Sequence, residues 1–196
     1  ASVYGRPKNL QCWLERVKGW NLNRENTVLG GSAIASAVYI GSKTYEAVNL
    51  LLHSGARMDF RSHSGGTLLS NAAANEDSDP NVLQLLLSKY KSELTHEEFK
   101  AFVNYQRKST TMKWKCIHFV TKTFVRTGIA QSGLMYVLAL WSGTTALNLA
   151  VGRGDVEIVK ILLENGADPY VENDLGMNAF DICKKAGPFP SVRKVL

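Results

Sequence analysis

No apolar stretch in the sequence approaches the roughly 18 residues that a membrane-crossing helix requires. The longest apolar run, Leu134 to Trp141, is less than half that length. No span is predicted, and the chain is expected to be soluble or to lie at a membrane surface. Cysteine is scarce: Cys12, Cys116 and Cys183 are far apart and outside any C-x-x-C pair. They read as reduced core or surface thiols rather than a disulfide framework. There is no N-x-[ST] acceptor, in keeping with an intracellular protein. The first residue is Ala1 rather than Met, and no secretion signal follows it. The N-terminus therefore reads as processed or trimmed, with removal of an organellar presequence as one route.

Catalytic patterns are also missing. His53, His63, His96 and His118 form no H-E-x-x-H pair and no cluster with the cysteines. Each is expected in a loop, at a cap or on a helix surface, and no metal is expected. There is no G-x-S-x-G elbow and no G-x-x-x-x-G-K phosphate loop. The chain is therefore read as non-enzymatic, with no catalytic residue and no cofactor. Arg153-Gly154-Asp155 spells an adhesion tripeptide, but its glycine and aspartate are explained as a helix break and a helix cap.

Acidic residues are absent from one long stretch, between Glu98 and Asp155. The chain carries a formal net charge of +6, and residues 89–141 hold nine Lys and Arg against three Asp and Glu. The cations Arg107, Lys108, Lys113, Lys115, Lys122 and Arg126 alternate there with Trp114, a mixture suited to an acidic partner. A composition of 45% hydrophobic and 20% charged residues otherwise fits one compact domain or one elongated array.

The most informative segment starts at Gly143, and a second glycine, Gly176, opens the next unit 33 residues later. Thr145 is placed to cap a first helix with Leu147 and Ala150 on its apolar face. Gly154 breaks the chain, Asp155 caps a second helix, and Ile158, Ile161, Leu162 and Leu163 give that helix an apolar stripe. Gly166 stops it in a position that calls for left-handed backbone. This segment closely resembles an ankyrin repeat. The same grammar recurs in worn form from Gly31 to Ala56 and from Gly66 to Leu87, each with a two-residue insertion between its helices. The family's T-P-L-H stretch stands here as Ser-Ala-Ile-Ala, Thr-Leu-Leu-Ser, Thr-Ala-Leu-Asn and Asn-Ala-Phe-Asp.

The resemblance implies an all-α ankyrin-repeat solenoid of about four to five units, some of them degenerate. Residues 1–29 are expected to form an N-terminal capping helix and hairpin, with Leu10, Trp13, Leu14 and Val17 on one face. Residues 30–90 form two degenerate repeats, and 143–196 a good repeat and a C-terminal cap broken at Gly187-Pro188. Between them, Tyr90 occupies the place of a helix-stopping glycine, so 91–142 is read as a basic helical insertion or a degenerate repeat. In it, Thr95 to Glu98 should open a helix reaching about Arg107, Met112 to Arg126 should form a second, and Leu134 to Trp141 is expected to be a buried helix.

The resemblance implies protein binding. The expected role is an interaction scaffold, as an accessory subunit of a larger assembly. Its partner surface would comprise Arg107, Lys108, Lys113, Trp114, Lys115, Lys122, Arg126, Tyr136 and Trp141, facing a protein with an acidic surface. The alternatives are electrostatic binding of nucleic acid or of an anionic membrane through the same insertion, and a regulatory region of a longer enzyme. The phrases at Trp20–Gly31 and Asp174–Pro190 also resemble an expanded set of ankyrin proteins in photosynthetic unicells. That likeness adds the plastid to the cytoplasm and other organelles as an expected location.

Overall fold

The computed structural model describes residues 6–17, 19–27, 30–41, 44–77, 79–129, 133–187 and 189–196; Ala1 and Pro188, used above, lie outside them. The described residues form α1 (Pro7–Arg16), α2 (Ala33–Ile40), α3 (Tyr45–His53), α4 (Leu68–Ala74), α5 (Pro80–Glu93), α6 (His96–Val103), α7 (Met112–Arg126), α8 (Gly133–Trp141), α9 (Ala146–Arg153), α10 (Val156–Glu164), α11 (Ala179–Ala186) and α12 (Pro190–Val195). No strand occurs among the described residues, and no described helix is long and apolar enough to cross a membrane.

Short helices such as these are marginal alone and depend on caps and packing. Where the family's threonine stands, this chain keeps a side-chain oxygen that accepts a first-turn N–H. Ser32 accepts from Ala35 at 3.4 Å, Thr67 from Ser70 at 3.1 Å, Thr145 from Asn148 at 3.2 Å and Asn178 from Asp181 at 3.2 Å. Second helices are capped likewise by Asp79 and Asp155.

First helices stack in the order α2, α4, α9, α11, and second helices in the order α1, α3, α5, α10, α12. One core runs through both rows, with Ile34, Leu51, Leu68, Leu86, Leu147 and Leu162 fully enclosed. In α2 and α4 the C-terminal carbonyls are also satisfied from the following repeat. Asn75 Nδ2 donates to Val38 O and Gly41 O at 3.0 and 2.8 Å, and Arg153 Nη1 donates to Ala73 O at 2.9 Å. The Arg-Gly-Asp sequence is therefore occupied within the stack, since Asp155 Oδ1 also accepts from Ile158 N at 3.1 Å.

α9 packs directly on α4, with no helix pair between them. The long interval before Gly143 is filled differently. α5 runs past Tyr90, whose buried ring lies 4.0 Å from that of Phe102 and whose hydroxyl donates to Met58 O. The Thr95–Glu98 capping box forms as expected, but α6 ends at Val103 and not near Arg107. Asn104 leaves the helix to bridge the next repeat, its Nδ2 donating to Gly166 O at 2.9 Å and its Oδ1 accepting from Asp168 N at 2.7 Å. Asn23 makes the same pair of contacts with Gly55 O and Arg57 N. Residues 104–107 are therefore the outgoing arm of a repeat hairpin.

In α10 the enclosed residues are Ile158, Val159, Ile161 and Leu162, and Leu163 is only partly buried. Leu162→Ala should cost roughly 2 to 5 kcal/mol by removing a fully packed side chain, and Leu163→Ala clearly less. Chemical denaturation of the two variants checks this, and equal losses would contradict the packing of α10.

Candidate partner-binding site

The site is built on the third hairpin. In the second, Ser62 N donates to Gly66 O at 2.9 Å and Gly65 N to Ser62 O at 2.8 Å, and the fourth repeats this with Asn173, Gly176 and Met177. In the third, Arg107 N donates to Thr144 O and Gly143 N to Arg107 O, both at 3.0 Å. Arg107 thus corresponds to Ser62 and Asn173, and Gly143 to Gly65 and Gly176. The difference is what stands between them: two residues in the second and fourth hairpins, and 108–142, with α7 and α8, in the third.

Successive tips fit closely because of their glycines. Gly65 has φ +89°, and a Cβ there would meet the Lys108 backbone at 2.5 Å; Gly143 has φ +72°, and a Cβ would meet Asp174 N at 2.6 Å. Side chains disfavour this backbone region and would also hold the tips apart. Tip residues Lys108 and Asp174 are thereby brought into line across neighbouring hairpins.

The insertion folds down onto that line. Lys122 Nζ pairs with Asp174 Oδ2 at 2.6 Å, Arg126 Nη2 donates to Asp174 O at 2.6 Å, and Ser142 Oγ donates to Asp174 Oδ2 at 2.6 Å. Partial burial by itself would raise the Asp174 pKa, but the hydrogen bonds from Lys122 and Ser142 and the Lys122 charge hold it below the usual carboxylate value. On α8, the Tyr136 hydroxyl donates to Met177 Sδ at 3.7 Å and the ring receives Lys185 Nζ at 4.4 Å from its centroid.

Of the nine residues named from sequence, Arg107 lies deepest, 7% exposed. Its guanidinium stands 5.1 Å from the Trp141 ring, and Nη2 donates to Ser64 Oγ at 2.9 Å. Desolvation pushes its pKa down to about 10, so it stays charged at neutral pH without a carboxylate beside it among the described residues. Lys122, Arg126, Tyr136 and Trp141 contact the body of the array. Lys108, Lys113 and Lys115 are exposed, and Trp114 is half-buried, edge-on to His118 at 5.7 Å. His118 is not a surface histidine: it is 3% exposed, and burial followed by the charges of Arg107 and Lys122 depresses its pKa.

Two cavities flank Arg107. One, about 220 Å³, is lined by Tyr39 and Ile40 of α2, Phe60 of the second hairpin, and Trp114 and Trp141 of the insertion. The other, about 440 Å³, is lined by Lys108, Lys115, His118, Phe119, Lys122 and Asp174 among others. The insertion therefore extends the surface made by first helices and hairpin tips, with aromatic groups on one side of Arg107 and cations on the other. α8 differs from its expected burial. Only Ala139 is buried and Leu134 is 70% exposed, because none of the described elements covers its outer face. Tyr39, Phe60 and Asp174 were not identified from sequence. Asp174 had a usable signal, since it follows Asn173 as Lys108 follows Arg107. No described residues form a cluster of three His, Cys, Asp or Glu able to hold a metal.

The family described as ankyrin repeats, three copies, matches residues 34–173, and the chain belongs to this family. An ankyrin repeat-containing protein of Treponema pallidum (strain Nichols) is 50% identical over 38 residues, 19% of this chain and 13% of that protein. The mitochondrial disaggregase of Bos taurus is 26% identical over 203 residues, 94% of this chain and 29% of that protein. The chain thus spans well under two thirds of either relative. Ankyrin repeats are binding modules, generally non-enzymatic, and the class is defined by protein–protein interaction.

The clamp at Asp174 should respond to pH. A depressed pKa means that its contribution is present at neutral pH and is lost as the pH falls through and below the usual carboxylate range. Asp174→Asn should melt below the parent at neutral pH, and the gap should close in acid. A gap of constant size across that range would contradict the pairing.

Proposed function

We propose that the chain binds a segment of another protein through the surface where the insertion meets the first helices, as an accessory part of a larger assembly. What supports this reading is the groove that joins Tyr39, Ile40 and Phe60 of the repeats to Trp114 and Trp141 of the insertion. Half-buried aromatic side chains present large, rigid contact area at small cost in conformational entropy, which is why they dominate binding hot spots. Lys113 and Lys115 flank Trp114 in the sequence and Lys108 follows Arg107; all three are exposed and without ion pairs among the described residues. An apolar segment flanked by carboxylates would fit both features. Cations at a rim contribute mainly to association rate and to partner choice.

A second reading, that the chain is the regulatory or substrate-facing region of a longer enzyme, is favoured by one comparison. Nearly the whole chain aligns with less than a third of a disaggregase. The two readings are compatible, since an ankyrin region can serve as the protein-binding part of such an enzyme. The location is proposed as the cytoplasm or an organelle; the relative named above is mitochondrial.

Capture of partners followed by crosslinking mass spectrometry tests the site. Tyr39→Ala and Trp114→Ala should each weaken capture by about tenfold or more, the scale of a hot-spot residue, with helical content retained. Crosslinks should fall on Lys108, Lys113 or Lys115. Crosslinks confined to residues 143–196, or capture indifferent to both variants, would contradict the reading. If the partner were nucleic acid held by about six phosphates, affinity would fall about a thousandfold or more between 50 and 200 mM salt; a protein seated in the aromatic groove should show a far weaker dependence.

A further inference from the structure

The larger cavity, on the other side of Arg107 from the aromatic groove, has the chemistry of an anion site. Lys108, Lys115, Lys122 and Arg107 line it with one carboxylate, Asp174. That carboxylate is already paired with Lys122 and receives the Ser142 hydroxyl. The lining therefore keeps three uncompensated cations. Two of its buried members are also short of hydrogen-bond partners: Arg107 Nε and His118 Nε2 have none, while Ser109 Oγ and His118 Nδ1 share a hydrogen bond of 2.9 Å. When that hydroxyl donates, Nε2 carries the imidazole proton and has nothing to give it to. A buried guanidinium without a counter-charge is unfavourable, as is a buried N–H without an acceptor. A doubly charged oxyanion in the cavity supplies the missing counter-charge, while the two enclosed nitrogens make no direct bond to it.

Size and charge narrow the class. At about 440 Å³ the cavity exceeds a simple ion and is open enough to admit a group carried on a larger molecule. Phosphate esters match cations in this arrangement because each oxygen accepts charge-assisted hydrogen bonds. We infer that the cavity among Arg107, Lys108, Lys115 and His118 binds a phosphate monoester, either free or carried on a polypeptide. This site shares Arg107 with the aromatic groove, but Lys108 and Lys115 line only this cavity and Tyr39 and Trp114 only the groove, so either reading can fail without the other.

The test is titration of the full chain with inorganic phosphate, phosphoserine, a phosphoserine peptide and its unphosphorylated counterpart. Binding is read by calorimetry and by the His118 ring resonances. The expected result is saturable binding of phosphoserine or its peptide, with a shift of the His118 signals and no effect of the unphosphorylated peptide. Inorganic phosphate binding alongside phosphoserine would identify the phosphoryl group itself as the ligand; peptide binding much tighter than phosphoserine would identify the polypeptide source. Lys108→Gln with Lys115→Gln, both exposed side chains, should lower affinity about tenfold or more through loss of charge-assisted contacts. Lys160→Gln with Lys194→Gln removes the same charge elsewhere and should leave it unchanged. Non-saturating response, equal loss in both double variants, or binding only of oligonucleotides or anionic vesicles would overturn the proposal.

Discussion

The two backbone hydrogen bonds between Arg107 and the Gly143–Thr144 pair determine how the rest of the molecule is arranged. They close an ordinary repeat hairpin around a segment that is far from ordinary in length. Because the closure is backbone to backbone, the repeat on either side does not depend on what the tip contains. α9 can then stack on α4 as α4 stacks on α2. Loop-closure entropy grows slowly with length, so a long insertion at this point costs the array little. The close fit of Gly65 against Lys108 and of Gly143 against Asp174 fixes where the insertion starts and what it folds onto.

The proposed function follows from that position. On the proposed reading hairpin tips and first helices form the surface used for partners, and an insertion at a tip enlarges it without disturbing the core. Here the insertion adds cations and tryptophans, and then uses some of them internally. Lys122 and Arg126 hold α7 on Asp174, and Arg107 is enclosed between Trp141 and Ser64. The charge visible in the sequence therefore divides into a structural half and an accessible half. Lys108, Lys113 and Lys115 form the accessible half, and Lys108 and Lys115 line the larger of the two cavities beside Arg107.

The architecture was legible because its determinants are local. Thr145, Asp155 and Gly166 specify cap, cap and stop within one repeat, and α7 falls on Met112–Arg126 as the spacing predicted. The site was legible only in composition. Arg107 reads as one more cation in an acid-free stretch, and its burial depends on Trp141 and Ser64, both remote in sequence. The end of α6 was misplaced for a related reason. Phe99 and Val103 carry the helical stripe, but Asn104 turns out to the next repeat, a contact across 62 residues that no local pattern encodes. The exposure of Leu134 was hidden as well, since a short apolar helix reads as core whether or not anything covers it.

The placement of residues 108–142 at a hairpin tip of an otherwise continuous array rests on the Arg107 closure. Its most direct test is to replace residues 109–142 with a single serine, giving the third hairpin the length of the second. Thermal unfolding followed by circular dichroism should remain one cooperative transition, with loss of the helical signal of α7 and α8 alone. Loss of cooperative unfolding, or of helical signal well beyond those two helices, would contradict the account.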